Sequence, residues 1–261
     1  MTNTRSPQLR LRVFAGPNGS GKSTVIERVK ATKSKKRLID FGVYINADDI
    51  AVSLLGAGFS FGSYGVSVTG AEFKTIALAS GLIGGEFPAD RFSRCYFIRN
   101  NTLKLKVPTD NERMAQIVAD FLRKKLLAER KKFSFETVFF HPSKLEIMRQ
   151  AATAGYKVYL YFVSTESPLI NEFRVKARVA KGGHHVPVDK IESRYYRSLD
   201  LLFEASQIAY QAYYFDNSKE GEDFTMFAHF KVVKNKKKWD RIDPDKVPSW
   251  FKKYYSQKIS R

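Results

Sequence analysis

Apolar and polar positions alternate with two different periods along this chain, and the periods themselves alternate. Residues 9–15 alternate apolar and basic side chains before turning wholly apolar, as a half-buried first strand does. A glycine-rich loop over 16–23 follows, then a helical stretch over 24–33. Residues 43–46 read as a second short strand, ending in Ala47-Asp48-Asp49, a sequence suited to capping the next helix. Further on, 110–130 is an amphipathic helix, 133–140 a strand, and 142–154 a helix closed by Gly155. Residues 157–163 form an apolar strand, and 168–181 a helix that stops at Gly182-Gly183. A helix over 188–205 begins after Pro187, strands follow over 210–215 and 224–233, and 247–259 closes the chain as a helix. Strands that alternate with helices predict an α/β fold: a mostly parallel sheet with helices on both faces, a three-layer sandwich. No internal repeat is visible.

One stretch breaks the alternation. Gly56, Gly58, Gly62, Gly65, Gly70, Gly81, Gly84 and Gly85 are half of the chain's 16 glycines, and they interleave with Phe59, Phe61, Tyr64 and Phe73. Such spacing forbids a long regular helix and predicts loops that approach a ligand or another backbone closely. Residues 95–98 and 103–107 predict a hairpin through Arg99-Asn100-Asn101-Thr102. The expected organisation is therefore one domain over residues 1–261, with 56–108 inserted into it as a ligand-side subregion.

Composition narrows the class. At 261 residues, with 43% apolar and 14% aromatic side chains, the chain can bury a sizeable core. No apolar run is long enough to cross a bilayer. Residues 1–12 hold three arginines and no apolar leader, and a lone cysteine, Cys95, rules out an internal disulfide. Together these features predict a cytoplasmic protein, with Cys95 as a packing residue. The net charge of +19 favours anionic ligands: nucleotides, sugar phosphates or nucleic acid. The basic residues peak separately at 33–37, 124–132 and 231–241, so no single nucleic-acid-binding arm is evident.

The chemistry begins at Gly16-Pro17-Asn18-Gly19-Ser20-Gly21-Lys22-Ser23, followed by Thr24. It matches the phosphate-binding pattern G-x-x-x-x-G-K-[ST] at every fixed position, between a predicted strand and a predicted helix. Glycines let successive backbone N–H groups converge on phosphate oxygens at a helix N-terminus. Lys22 can reach the β- and γ-phosphates of ATP, and the Ser23 hydroxyl can join a Mg²⁺ shell. The same string suits an ABC-type ATPase, but the LSGGQ-type signature and the apolar run ending in Asp-Glu are both missing.

Three more segments make the pattern specific. They are Asn46-Ala47-Asp48-Asp49-Ile50-Ala51, Phe135-Glu136-Thr137-Val138, and Arg174-Val175-x-x-Arg178-Val179-x-x-Gly182-Gly183-His184-x-Val186-Pro187 with Arg194-Tyr195-x-Arg197-Ser198 behind it. With Gly155-Tyr156 and Asp216-Asn217-Ser218, the chain resembles the zeta toxin family of P-loop kinases, and more narrowly the bacterial zeta-like proteins labelled predicted ABC-type ATPases. The resemblance covers about residues 9–56 and 110–218. It implies ATP- and Mg²⁺-dependent phosphotransfer to a hydroxyl of a small anionic substrate, with a UDP-activated amino sugar as the acceptor class, and an antitoxin protein as a partner.

The residues carry these roles physically. Asp48, just past a strand's carboxyl end, matches the family's general base; Asp49 is a weaker candidate for the same task. Glu136, a carboxylate in an apolar strand, needs a partner there and can hold Mg²⁺ through water or bind substrate, with Thr137 beside it as a donor. Arg174 and Arg178, four residues apart, share a helix face and can neutralise the transferred γ-phosphoryl. Arg194 and Arg197 can add phosphate contacts, whereas His184 and His185 read as structural. The alternatives are a polynucleotide 5′-hydroxyl kinase or RNA-binding P-loop protein, favoured by net charge, and a non-enzymatic nucleotide switch.

Overall fold

A computed structural model describes residues 8–34, 36–182 and 186–259, so His184 and His185 lie outside the described residues. The chain divides into two compact units, Met1–Phe41 with Ser134–Arg261, and Gly42–Phe133.

In the first unit the elements follow in the order β1 (Arg10–Ala15), α1 (Lys22–Ala31), β2 (Phe133–Thr137), α2 (Ser143–Thr153), β3 (Lys157–Ser164) and α3 (Pro168–Ala180). Then come α4 (Val188–Asp200), α5 (Leu202–Ile208), β4 (Gln211–Asp216), β5 (Thr225–Val233) and β6 (Lys236–Ile242). The strands lie in the order β6-β5-β4-β3-β1-β2. β3 pairs in parallel with both β1 and β4, whereas β5 and β6 add as antiparallel strands. The fold is α/β with a sheet flanked by helices, and chain reversal between the parallel strands requires the helical crossovers that the alternation of periods predicts.

Register explains why these segments form strands. Val13, Leu160 and Ala212 align across β1, β3 and β4 and are fully buried. One residue on, Phe14, Tyr161, Tyr213 and His229 align on the opposite face, with ring centroids 4.6, 4.8 and 4.2 Å apart in succession. Stacking along neighbouring strands fixes the register, since a slip of one residue would exchange the two faces.

The second unit has its own aromatic core. Helices Ala47–Leu55, Gly70–Leu78, Ala89–Arg94 and Asn111–Ala128 accompany a small antiparallel sheet of Phe59–Ser60, Thr102–Leu105 and Tyr96–Arg99. Phe61, Phe73 and Phe121 are fully buried, with centroids 5.1–5.9 Å apart. The expected hairpin is present: Asn100 and Asn101 take left-handed φ of 48° and 56°, which suits the twist of a two-residue turn. Cys95 is buried, donating its Sγ–H to Phe92 O, and burial first of all pushes its thiol pKa up to about 11.

Several elements differ from the sequence reading. The helix expected over 188–205 breaks at Leu201, which lets Leu199, Leu202 and Ala205 all face the core. The strand expected over 133–140 ends at Thr137, because Phe139 adopts φ 62°. The basic peak at 231–241 contains the edge strand β6, turned through Lys234 and Asn235 with φ of 49° and 60°. Lysines suit an edge strand because their charge opposes pairing with another sheet, while Trp239 packs on Phe230 at 5.0 Å. The closing helix is continuous only through a π-helical segment, Lys252–Ser256, between Ser249–Phe251 and Gln257–Ile259. Among the described residues, no helix is long and apolar enough to cross a membrane.

Lys237 on β6 donates to Gln207 Oε1 (2.8 Å) and lies 4.8 Å from the Phe230 ring centroid; burial pulls its pKa down to about 8. Below pH 8 the ammonium is charged in both folded and unfolded chains, so its desolvation cost is fully present. Between that value and the ordinary 10.5 only the unfolded chain holds the proton, and stability rises with pH. Lys237→Met is therefore expected to stabilise the fold most near neutrality, with the gain over wild type shrinking between pH 8 and 10.5 in denaturant titrations. In the second unit, Phe121→Ala is expected to cost about 3–5 kcal/mol in the same measurement.

Candidate functional site

β1 ends at Ala15 and the chain enters α1 through the glycine loop. Gly16 has φ 147°, and a Cβ there would lie 2.0 Å from Val163 O at the end of β3. Gly21 has φ 91°, and a Cβ there would lie 2.1 Å from Asn217 Nδ2. Both positions demand glycine for backbone conformation and for space. Gly21 is the N-cap of α1 and offers no side-chain cap, so the first-turn N–H groups face outward from an uncapped, positively polarised helix end. The buried Asn18 Oδ1 and Ser20 Oγ have no hydrogen-bond partner among the described residues. This is a polar cradle built for an anion, and it fits the polyphosphate of a nucleotide.

Lys22 is 7% exposed; its Nζ donates to Pro17 O at 3.0 Å and lies 4.0 Å from Glu136 Oε1. β1 and β2 are neighbours in the sheet, so the carboxylate at the end of β2 reaches the lysine at the start of α1. Glu136 thereby has the charged partner that its apolar strand requires. Ser23 and Thr24 sit exposed in the first turn of α1. Among the described residues, no group of three His, Cys, Asp or Glu could hold a metal. A Mg²⁺ held by one hydroxyl, nucleotide phosphates and water needs no such group, and the Ser23 hydroxyl fits that donor set.

Three segments crowd the loop from outside. Asn171 on α3 is fully buried, and its carbonyl would lie 2.5 Å from a Cβ on Gly19. Thr165 Oγ1 bonds Asn171 Oδ1 (2.7 Å), and Tyr195 on α4 donates its hydroxyl to Thr165 O (2.6 Å). Asn217, after β4, donates Nδ2 to Ser20 O (2.9 Å). Arg174 donates to the carbonyls of Asn217 (2.7 Å) and Lys219 (3.3 Å), so its guanidinium ties α3 to this loop. Arg178, one turn on, is exposed at the end of α3.

Behind Asn217, Asp216 accepts hydrogen bonds from Ser218 N, Ser218 Oγ and Trp250 Nε1, the last at 2.9 Å. Glu166 accepts from Ser249 N (2.8 Å) and Ser249 Oγ. The C-terminal segment is thus fastened to the loops beside the phosphate cradle. In sequence, Asp216-Asn217-Ser218 signals only the family resemblance, and Asn171 and Trp250 carry no local signal.

At the end of β2, Thr137 Oγ1 accepts from Phe139 N (3.2 Å), capping the tight turn. Phe139 turns inward against Phe162, while Phe140 remains half-buried. Arg194 and Arg197 stand over the Phe140 ring, with Cζ 4.8 and 5.1 Å from its centroid. Burial, then the charge of Arg197, lowers the pKa of Arg194.

Asp48 and Asp49 belong to the second unit, exposed in the first turn of the helix Ala47–Leu55. The cap of that helix is Asn46, whose Oδ1 accepts from Asp48 N at 2.9 Å. Neither aspartate carboxylate serves as the N-cap, contrary to the capping role open to them in the sequence.

No family model matches the chain, and no curated protein matches it. Among solved structures it is similar to a chain of AvrRxo1-ORF1:AvrRxo1-ORF2 crystallised with sulphate ions (TM-score 0.49, 15% identity, covering 89% of this chain and 61% of the other). A crystal structure of AvrRxo1-ORF1:-ORF2 with ATP gives a TM-score of 0.48 at 14% identity, with coverages of 89% and 61%. A structure from the PezAT chromosomal toxin-antitoxin system of Streptococcus pneumoniae gives 0.45 at 14% identity, with coverages of 85% and 75%. The chain therefore spans 61% of the length of the first of these.

Gly16→Ala is expected to lower affinity for ATP by at least about tenfold in a calorimetric titration, because Val163 O belongs to a central strand and cannot withdraw.

Proposed function

We propose that the chain is an ATP-dependent, zeta-toxin-like phosphotransferase that moves the γ-phosphoryl of ATP to a hydroxyl of a small anionic substrate, with a UDP-activated amino sugar as the first acceptor class to test. The observation that carries this reading is the uncapped α1 N-terminus with buried Lys22 in its first turn and Glu136 beside it. The cradle's backbone N–H groups hold the polyphosphate, and the Lys22 ammonium balances charge on its β- and γ-oxygens. Mg²⁺, with Ser23 as a protein ligand, supplies further neutralisation of that charge when bound. Glu136 orients Lys22 and accepts from water or acceptor groups, and the Thr137 hydroxyl remains able to donate. Asp48 is the proposed general base, taking the proton of the attacking hydroxyl. Arg178 is the proposed lid cation, with Arg174 holding the α3 end on which it rides.

The test is phosphotransfer from γ-labelled ATP with Mg²⁺, screened against nucleotide sugars, other hydroxylated metabolites and 5′-hydroxyl RNA. Lys22→Ala is expected to reduce transfer by about 10²-fold or more, and Asp48→Ala by about 10²–10⁴-fold with little change in ATP affinity. Full activity in the Asp48 variant would remove it as the base. Labelled RNA in place of a labelled metabolite would move the protein to the polynucleotide-kinase class, and hydrolysis without any labelled acceptor would leave a nucleotide switch.

A further inference from the structure

We propose that Phe140, Arg194 and Arg197 form a second oxyanion subsite, separate from the P-loop cradle, that grips a phosphoryl group with two guanidinium edges. The inference deepens the phosphotransferase reading and rests on it for the subsite's role, although the binding itself can be tested without ATP.

Two arginines three residues apart on α4 share one helix face and one ring, with Cζ 4.8 and 5.1 Å from the Phe140 centroid. Neither guanidinium has a hydrogen bond or an ion pair among the described residues. Contact of a guanidinium with an aromatic ring uses no N–H donor, so the donors of both groups stay uncommitted and are able to fork an oxyanion. The pair is also unfavourable as it stands. Arg194 is half-buried, and both its burial and the charge of Arg197 oppose its protonated state, with Asp189 a lesser favourable influence. An anion between the two guanidiniums would relieve that repulsion.

Two independent supports direct the pair toward the nucleotide end of the sheet. From α4, Tyr195 bonds Thr165 O, Thr165 bonds Asn171, and Asn171 packs on Gly19 of the cradle. From β2, Phe140 lies four residues past Glu136, the partner of Lys22. The intervening Phe139 has φ 62°, a backbone conformation that bulky residues avoid and that clusters at ligand sites. That conformation lets Phe139 enter the core while Phe140 stays outside beneath the arginines. The phosphoryl group has two chemical sources: the γ-phosphate of ATP, or a phosphate carried by the acceptor.

The test uses the intact chain with inorganic phosphate as probe, titrated calorimetrically into protein saturated with ADP and Mg²⁺. Wild type is expected to bind phosphate, and R194Q/R197Q to bind it at least about tenfold more weakly, with an unchanged circular dichroism spectrum and unchanged ADP affinity. R194K/R197K, which keeps charge but loses the planar fork, is expected to bind more weakly than wild type as well. Absent phosphate binding by wild type, equal binding by R194Q/R197Q, or full binding by the lysine variant would each overturn the subsite. If ADP itself fails to bind, the kinase reading falls, and the same comparison on nucleotide-free protein still decides the subsite. A ratio of ATP to ADP affinity that drops in R194Q/R197Q identifies the γ-phosphate as the natural occupant; an unchanged ratio with lost phosphate binding identifies a phosphate on the acceptor.

Discussion

The first-turn N–H groups of α1 cannot be satisfied within the helix, and the glycine loop supplies no side chain to cap them. The surrounding architecture keeps that helix end open while fixing its position. Val163 O at the end of β3, Asn171 on α3 and Asn217 after β4 close on Gly16, Gly19 and Gly21 so tightly that no Cβ fits. The loop is held on its outer side by the backbone carbonyls of Val163 and Asn171 and the side-chain amide of Asn217, so its inner side stays free for phosphate oxygens. A cradle preorganised in this way requires no rearrangement when charge arrives, and preorganisation gives fixed dipoles their value.

The elements that hold the loop are themselves held from a distance. Asp216 and Glu166 flank it, and both accept hydrogen bonds from Ser249 or Trp250 in the C-terminal segment. Arg174 bonds the carbonyls of Asn217 and Lys219, turning a candidate lid cation into a tie between helix and loop. Arg194 and Arg197 on α4, over Phe140, have no such ties among the described residues. Identical side chains on consecutive helices thus differ in what they can offer a ligand, and the difference arises from neighbours far away in sequence.

Much of the first unit was legible because its signals are local. Alternation over 9–15, the apolar run over 157–163 and the Pro and Gly that bound α3 each report a conformation within a few residues. The phosphate cradle was legible for the same reason: its chemistry is a contiguous loop. The β6 strand was missed because Lys236-Lys237-Lys238 resembles any solvated basic run in sequence, although Lys236 and Lys238 are exposed and Lys237 packs inward on Phe230. The break at Leu201 and the turn at Phe139 were hidden as well, since neither residue type signals an interruption and both conformations answer to core packing.

By itself, then, the sequence determined the α/β alternation, the glycine loop with Lys22 and Ser23, and the carboxylate Glu136 in an apolar strand. Periodicity, glycine placement and side-chain chemistry act over a few residues and need no partner to be read. Only the tertiary structure decided that Lys22 meets Glu136, that Asn171 and Asn217 brace the loop, that Arg174 is tied to carbonyls, and that Arg194 and Arg197 share Phe140. Those pairings join positions up to 197 residues apart, as Asn217 and Ser20 are. They depend on strand order and register, which follow from packing the whole core.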